Sequence, residues 1–146
     1  MLAARGHDVL GVDIAPFAIE QARRKAAERG LAAEFDVGDI LHLDGLGRTF
    51  MTVIDSGAFH VFEDDDRARY VKSLASVVKP AGVVHLLCFS ERTPGTFGPR
   101  RVTQAEVSSA FAEGWSVERI DAVRFEVDPS FTHEPPHGWL AKIVRR

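Results

Sequence analysis

The sequence has one cysteine, Cys88, so no intramolecular disulfide can brace it. That excludes a cystine-stapled secreted scaffold and fits a reduced cytoplasmic protein, with Cys88 an inert buried thiol in the apolar run "VVHLLCF". Positive charge is also scarce: 18 Lys and Arg against 21 Asp and Glu give a net charge of −3. Gripping a phosphate backbone or an acidic membrane needs concentrated Lys and Arg, so neither nucleic acid nor a membrane is expected as a partner. Arg100-Arg101 and Arg145-Arg146 are only local pairs. No run approaches the ~20 apolar residues that cross a bilayer, and there is no internal repeat or low-complexity tract. "HEPPH" carries His133 and His137. Pro135-Pro136 denies them helical i, i+4 presentation and no nearby cysteine completes a set, so no metal site is expected.

What is present is an alternation of apolar runs and amphipathic stretches. The 146 residues, 45% hydrophobic, fit one globular domain spanning 1–146. "DVLGVDI" (8–14) is too short for a free-standing helix and rich in Val, Leu and Ile, as a strand buried on both faces should be. Pro16 suits a first helical turn; Ala15, Ile19, Ala22 and Ala26 fall on one stripe, and Gly30 closes the helix in a left-handed cap.

Further strands are expected at "AAEFDVGD" (32–39) and "FMTVIDSG" (50–57). "EDDDR" opens a helix whose buried stripe is Val71, Leu74 and Val78. "KPAG" (79–82) turns that helix into the strand "VVHLLCF". Thr103 and Glu106 make a capping box for a helix running to about Glu113, with Gly114 as its stop. Residues 115–127 and 138–146 read as a closing antiparallel pair.

Strand and helix alternate from 8 to 90. The fold class expected is therefore α/β: a Rossmann-like doubly wound sheet, mostly parallel, with a C-terminal antiparallel strand pair. Ligands of such sheets bind beyond the carboxyl ends of the strands, where Asp13, Asp39 and Asp55 all fall. A carboxylate at a strand tip can accept both hydroxyls of a ribose or, equally, cap the orphan amides of the next helix. Asp39, preceded by Gly38, can accept from an exocyclic amine while the Ile40 backbone reads a ring edge; with Asp13 it would hold an adenosine lengthwise across two tips.

In this order, "GVDIA", "VGDIL", "VIDSGAFHVF" and "LASVVKPAGVVHLL" resemble the class I methyltransferases that use S-adenosylmethionine. "DSGAFHVFEDDDRARY" and "CFSERTPGTFGPRRVTQAEV" are especially similar to actinobacterial small-molecule members of the thiol and thiopurine-like group. The resemblance implies S-adenosylmethionine as cofactor and a small-molecule acceptor of the methyl group at S, N or O. It implies Asp13 and Ile14 at the ribose, Asp39 and Ile40 at the adenine, and Asp55, Ser56 and Gly57 at the methionine end. Phe59, His60 and Arg101 would face the acceptor, with His60 orienting or deprotonating it. Phe97, Arg100 and Phe131 stand in loops able to cover it. The family's second turn glycine is Ala81 here.

The family's first strand and its glycine loop would lie before residue 1, yet the sequence starts at "MLAARG", so the chain is expected to be N-terminally truncated. That strand would lie between those ending in Asp13 and Asp55. Its absence forfeits on the order of 10 kcal/mol of gross burial and much of the cofactor affinity, unless the flanking strands pair directly or a second chain, as in a homodimer through exposed sheet edges, fills the space. The competing readings are a nicotinamide-dependent oxidoreductase, which also ends its second strand in an acid, and a non-catalytic remnant that acts as a binding module.

Overall fold

The computed structural model describes residues 1–96, 98–128 and 134–146. Phe97, Phe131 and His133 lie outside the described residues.

Strand β1 (Leu10–Asp13) pairs in parallel with β2 (Glu34–Val37), Leu10 opposite Glu34 and Asp13 opposite Val37. The crossover is α1 (Pro16–Glu28), with Pro16 in its first turn and Ile19 and Ala26 buried; Gly30 follows at φ +61°. A 3₁₀ helix, Ile40–Leu46, leads away from the tip of β2.

The remaining strands form a second sheet, in the order β3-β4-β6-β5. Strand β3 (Phe50–Ser56) runs parallel to β4 (Val78–Phe89), β4 is antiparallel to β6 (His137–Arg145), and β6 is antiparallel to β5 (Trp115–Arg124). The α/β class and the antiparallel closing pair are thus as expected. Helix α2 (Asp64–Val77) opens on three acids at the positive end of its dipole and buries Tyr70, Val71, Leu74 and Val77. Helix α3 (Gln104–Ala110) carries the Thr103–Glu106 capping box, but stops three residues before Glu113.

One face of β4, β6 and their neighbours makes the core. Val84, Leu86, Cys88, Trp139, Ala141 and Ile143 interdigitate with Leu74, Val77, Phe59 and Phe111. Burial pushes the Cys88 thiol up to about 12, so it stays protonated and inert.

Two expectations are corrected in detail. Val78 is the first residue of β4, not the last of the helical stripe. "KPAG" is a bulge within the strand: pairing jumps from Phe50–Val78 to Thr52–Val83. Inside it Ala81 adopts φ +61°, and a β-carbon on Gly82 would come within 2.7 Å of the Lys79 carbonyl, so only glycine fits there.

Among the described residues β1 and β3 do not pair. Direct pairing of these flanking strands, one of the arrangements weighed above, does not occur. Met51 and Ile54 on β3 are each 54% exposed, as edge residues with no neighbouring strand are.

Candidate active site

A cavity of about 1200 Å³ separates the two sheets. β1 and β3 line it, as do Leu43, Leu74 and Val77, and so do Asp13, Ile14, Asp39, Ile40, Asp55, Ser56 and Gly57. The structure therefore brings together all seven residues assigned to the cofactor.

Their carboxylates are in different states. The Oδ1 of Asp13 accepts the Ala15 amide at 2.8 Å, fixing the side chain at the entry to α1. Asp39 caps the 3₁₀ helix, Oδ1 accepting the Leu41 amide at 2.9 Å while Oδ2 stands 3.0 Å from Nδ1 of His42. These contacts, the Leu41 amide foremost, lower its pKa and keep it ionised. A carboxylate has about four lone-pair sites, so both acids retain acceptor capacity for hydroxyls or an amine. Ile14, 70% exposed, adds an apolar face beside them.

Asp55 differs. It is buried, and its oxygens accept the amides of Ala58 at 2.7 Å and Phe59 at 3.0 Å and the Tyr70 hydroxyl at 3.0 Å. Burial raises its pKa against the pull of those donors. The carboxylate holds the turn 55–59 together and presents Ser56 and Gly57 at the cavity; Gly57, at φ +101°, needs glycine.

The acceptor-side residues are partly redistributed. Phe59 is fully buried, its ring against Phe111 and under the Arg67 guanidinium at 4.8 Å. It is a core residue and does not face the cavity, because the turn anchored by Asp55 rolls it inward. The Arg101 guanidinium donates to the carbonyls of Pro99, Gly95, Thr93 and Pro94 and lies over Phe89. It braces Thr93–Gly95 and Pro99, where contact with an acceptor was expected of it. His60 is 6% exposed, and its Nδ1 accepts the Phe89 amide at 2.8 Å. The nitrogen able to take a proton is thus already engaged, which removes the base role and leaves the orienting one.

Sequence reasoning missed Tyr70 and Arg67. Tyr70 is the lone tyrosine, on a buried helix stripe where a hydroxyl must find a partner, and that was the available signal. Arg67 is buried with Nη1 3.2 Å from Glu106; no pattern marked it.

Residues 1–82 match the family model described as a methyltransferase domain, more than half the chain. The chain belongs to the S-adenosylmethionine-dependent methyltransferases. It is 36% identical over 126 residues to a 2-heptyl-1-hydroxyquinolin-4(1H)-one methyltransferase of Mycobacteroides abscessus, covering 84% of this chain and 56% of the relative. To a demethylmenaquinone methyltransferase of Thermus thermophilus it is 36% identical over 95 residues, 65% of this chain and 42% of the relative. The chain thus spans roughly half the length of these relatives. Among solved structures, one from work on the conversion of a disulfide bond into a thioacetal group during echinomycin biosynthesis superposes with a TM-score of 0.86 at 35% identity, over 99% of this chain and 69% of that one. A methyltransferase of Methanosarcina mazei gives 0.81 at 17% identity, over 99% and 84%, a likeness of fold alone. Membership of the methyltransferases sets the nicotinamide reading aside. No helix among the described residues is long and apolar enough to cross a membrane.

Proposed function

We propose that this chain binds S-adenosylmethionine across the tips of β1 and β2 and carries out methyl transfer to a small-molecule acceptor. The observation that carries the reading is the convergence of Asp13, Asp39 and the turn 55–57 on one cavity. The residues fit the cofactor: two carboxylate acceptors for ribose and adenine, exposed Ile14 and half-buried Ile40 for the purine faces, and a glycine turn without side-chain bulk beside the reacting end. S-adenosylmethionine, when bound, would supply a sulfonium methyl group open to in-line attack at carbon by an acceptor lone pair, with the thioether sulfur as leaving group. The protein's part is to hold, align and exclude water, and an in-line displacement at a sulfonium needs no strong base when the acceptor is a thiol or an acidic hydroxyl. The relatives named above act on a hydroxyquinolone and a demethylmenaquinone, which favours a planar, largely apolar acceptor here too.

Isothermal titration of the chain with S-adenosylmethionine tests the reading. Saturable binding that Asp13→Ala weakens at least tenfold supports it; binding indifferent to both Asp13→Ala and Asp39→Ala overturns it. The exposed edges of β1 and β3 also offer pairing to a second copy, which the mass in solution reads directly.

A further inference from the structure

His60 is held in one tautomer. The Phe89 backbone amide is only a donor, so Nδ1, which accepts it, carries no proton, and in the neutral ring the proton sits on Nε2. Nε2 lies beside the α-carbon of Gly57, where a β-carbon would stand 3.3 Å away. Glycine leaves that edge of the ring uncovered: Gly57 itself lines the cavity, and His60 stands behind it, outside the lining. No acceptor among the described residues meets Nε2, and it is not one of the sealed, unpartnered atoms.

Two cations act on the ring, Arg101 from the loop after β4 and Arg67 from α2, the latter paired with Glu106 at 3.2 Å and Asp64 at 3.7 Å. Asp55, from the end of β3, turns its oxygens onto Ala58, Phe59 and Tyr70 instead. From β4 and the segment after β5 come two aromatic rings, Phe89 edge-on at 4.9 Å and Phe125 tilted at 6.3 Å between ring centres. Burial foremost, then Arg101 and Arg67, bring the imidazole down to about 4, so at neutral pH it is a neutral donor.

From this geometry we infer that the methyl acceptor binds as a preformed anion, held by the Nε2–H of His60 in the field of Arg67 and Arg101. The inference rests on the methyltransferase reading and narrows its substrate class to small acids with an apolar body: phenols, thiols and N-hydroxy heterocycles. The acceptor's proton leaves to solvent before binding. Its lone pair then forms the bond to the methyl carbon, the sulfur–carbon bonding pair stays on sulfur as a neutral thioether, and no protein group is protonated. An acceptor lacking an ionisable hydrogen is a poor substrate.

The test is titration of 4-nitrophenol, whose anion absorbs visible light, in the presence of the whole chain. Bound probe should ionise at least one pH unit below free probe, a preference of tenfold or more for the anion. Added salt should shrink the shift. His60→Gln, which keeps a distal N–H, should retain it; His60→Asn, which keeps an acceptor for the Phe89 amide but has no distal donor, should lose most of it. An unshifted or raised midpoint in the unaltered protein, or equal shifts in the His60→Asn and unaltered proteins, overturns the inference. The salt arm needs no variant to fold. A shifted probe with no binding of S-adenosylmethionine by calorimetry would overturn the methyltransferase reading while leaving the anion site standing; the reverse result would overturn only the anion site.

Discussion

The Tyr70 hydroxyl donates to Oδ2 of Asp55 at 3.0 Å inside the core, tying helix α2 to the turn that ends β3. The pair couples burial to the site, because the same carboxylate holds the amides of Ala58 and Phe59. Tyr70→Phe should cost about 1 kcal/mol, one hydrogen bond with two others left on the acceptor. Asp55→Ala should cost more, roughly 3 kcal/mol, since two buried donors and the part-buried Ala58 amide lose their acceptor. Urea unfolding monitored by Trp115 and Trp139 fluorescence gives both values, and the order is the diagnostic part.

Ala81 occupies the left-handed region at φ +61°, where an L side chain crowds its own carbonyl at roughly 1–2 kcal/mol. Ala81→Gly should therefore raise the melting temperature. Relief of strain exceeds the extra unfolded-state freedom of glycine, leaving a gain of about 0.5–1 kcal/mol. An unchanged or lower melting temperature would show the bulge of β4 to be unstrained.

Acid should weaken the fold through His60. Its imidazole titrates at 6.5 when unfolded and about 4 when folded, so between those values the unfolded chain binds more protons, and stability falls as pH drops from 6.5 towards 4. The full shift is worth at most about 3 kcal/mol. Asp39, with its lowered pKa, adds to the loss only below 3.8. Asp55, raised by burial, opposes it, since its folded form takes up a proton first. Urea midpoints measured across this window should fall in the unaltered protein and fall less in His60→Asn.

Gly57→Ala combines a side chain at φ +101° with a β-carbon 3.3 Å from Nε2 of His60. It should destabilise by about 1 kcal/mol or more, and it should also block the open edge of the ring, abolishing the 4-nitrophenol shift. A variant that melts lower yet keeps the shift would separate the glycine's backbone role from access to His60.

Much of the architecture was legible because local chemistry and tertiary packing agree. Pro16 and Gly30 bracket α1, Thr103 and Glu106 cap α3, and "VVHLLCF" became the buried strand β4, whereas β1, expected to be buried on both faces, is only half-buried because no strand pairs with its β3-facing edge. Asp13 and Asp39 were legible as strand-tip acids because position alone puts them there. Phe59, His60 and Arg101 were not, because their surroundings are decided by a turn that Asp55 closes from within and by a loop that Arg101 itself pins. Adjacency in sequence said nothing of which way that turn rolls. The extent of α3 was overread for a related reason: Gly114 at φ +77° ends the turn that leads into β5, and the helical hydrogen bonds stop earlier.

The central claim is that one nucleoside lies across the tips of β1 and β2. Amide chemical-shift mapping with S-adenosylhomocysteine tests it most directly, since it detects weak binding residue by residue. The account predicts saturable shifts at Asp13–Ala15, at Asp39–Leu41 and at Ser56–Ala58, all diminished by Asp13→Ala. Shifts confined to other surfaces, or none at millimolar ligand, would contradict it.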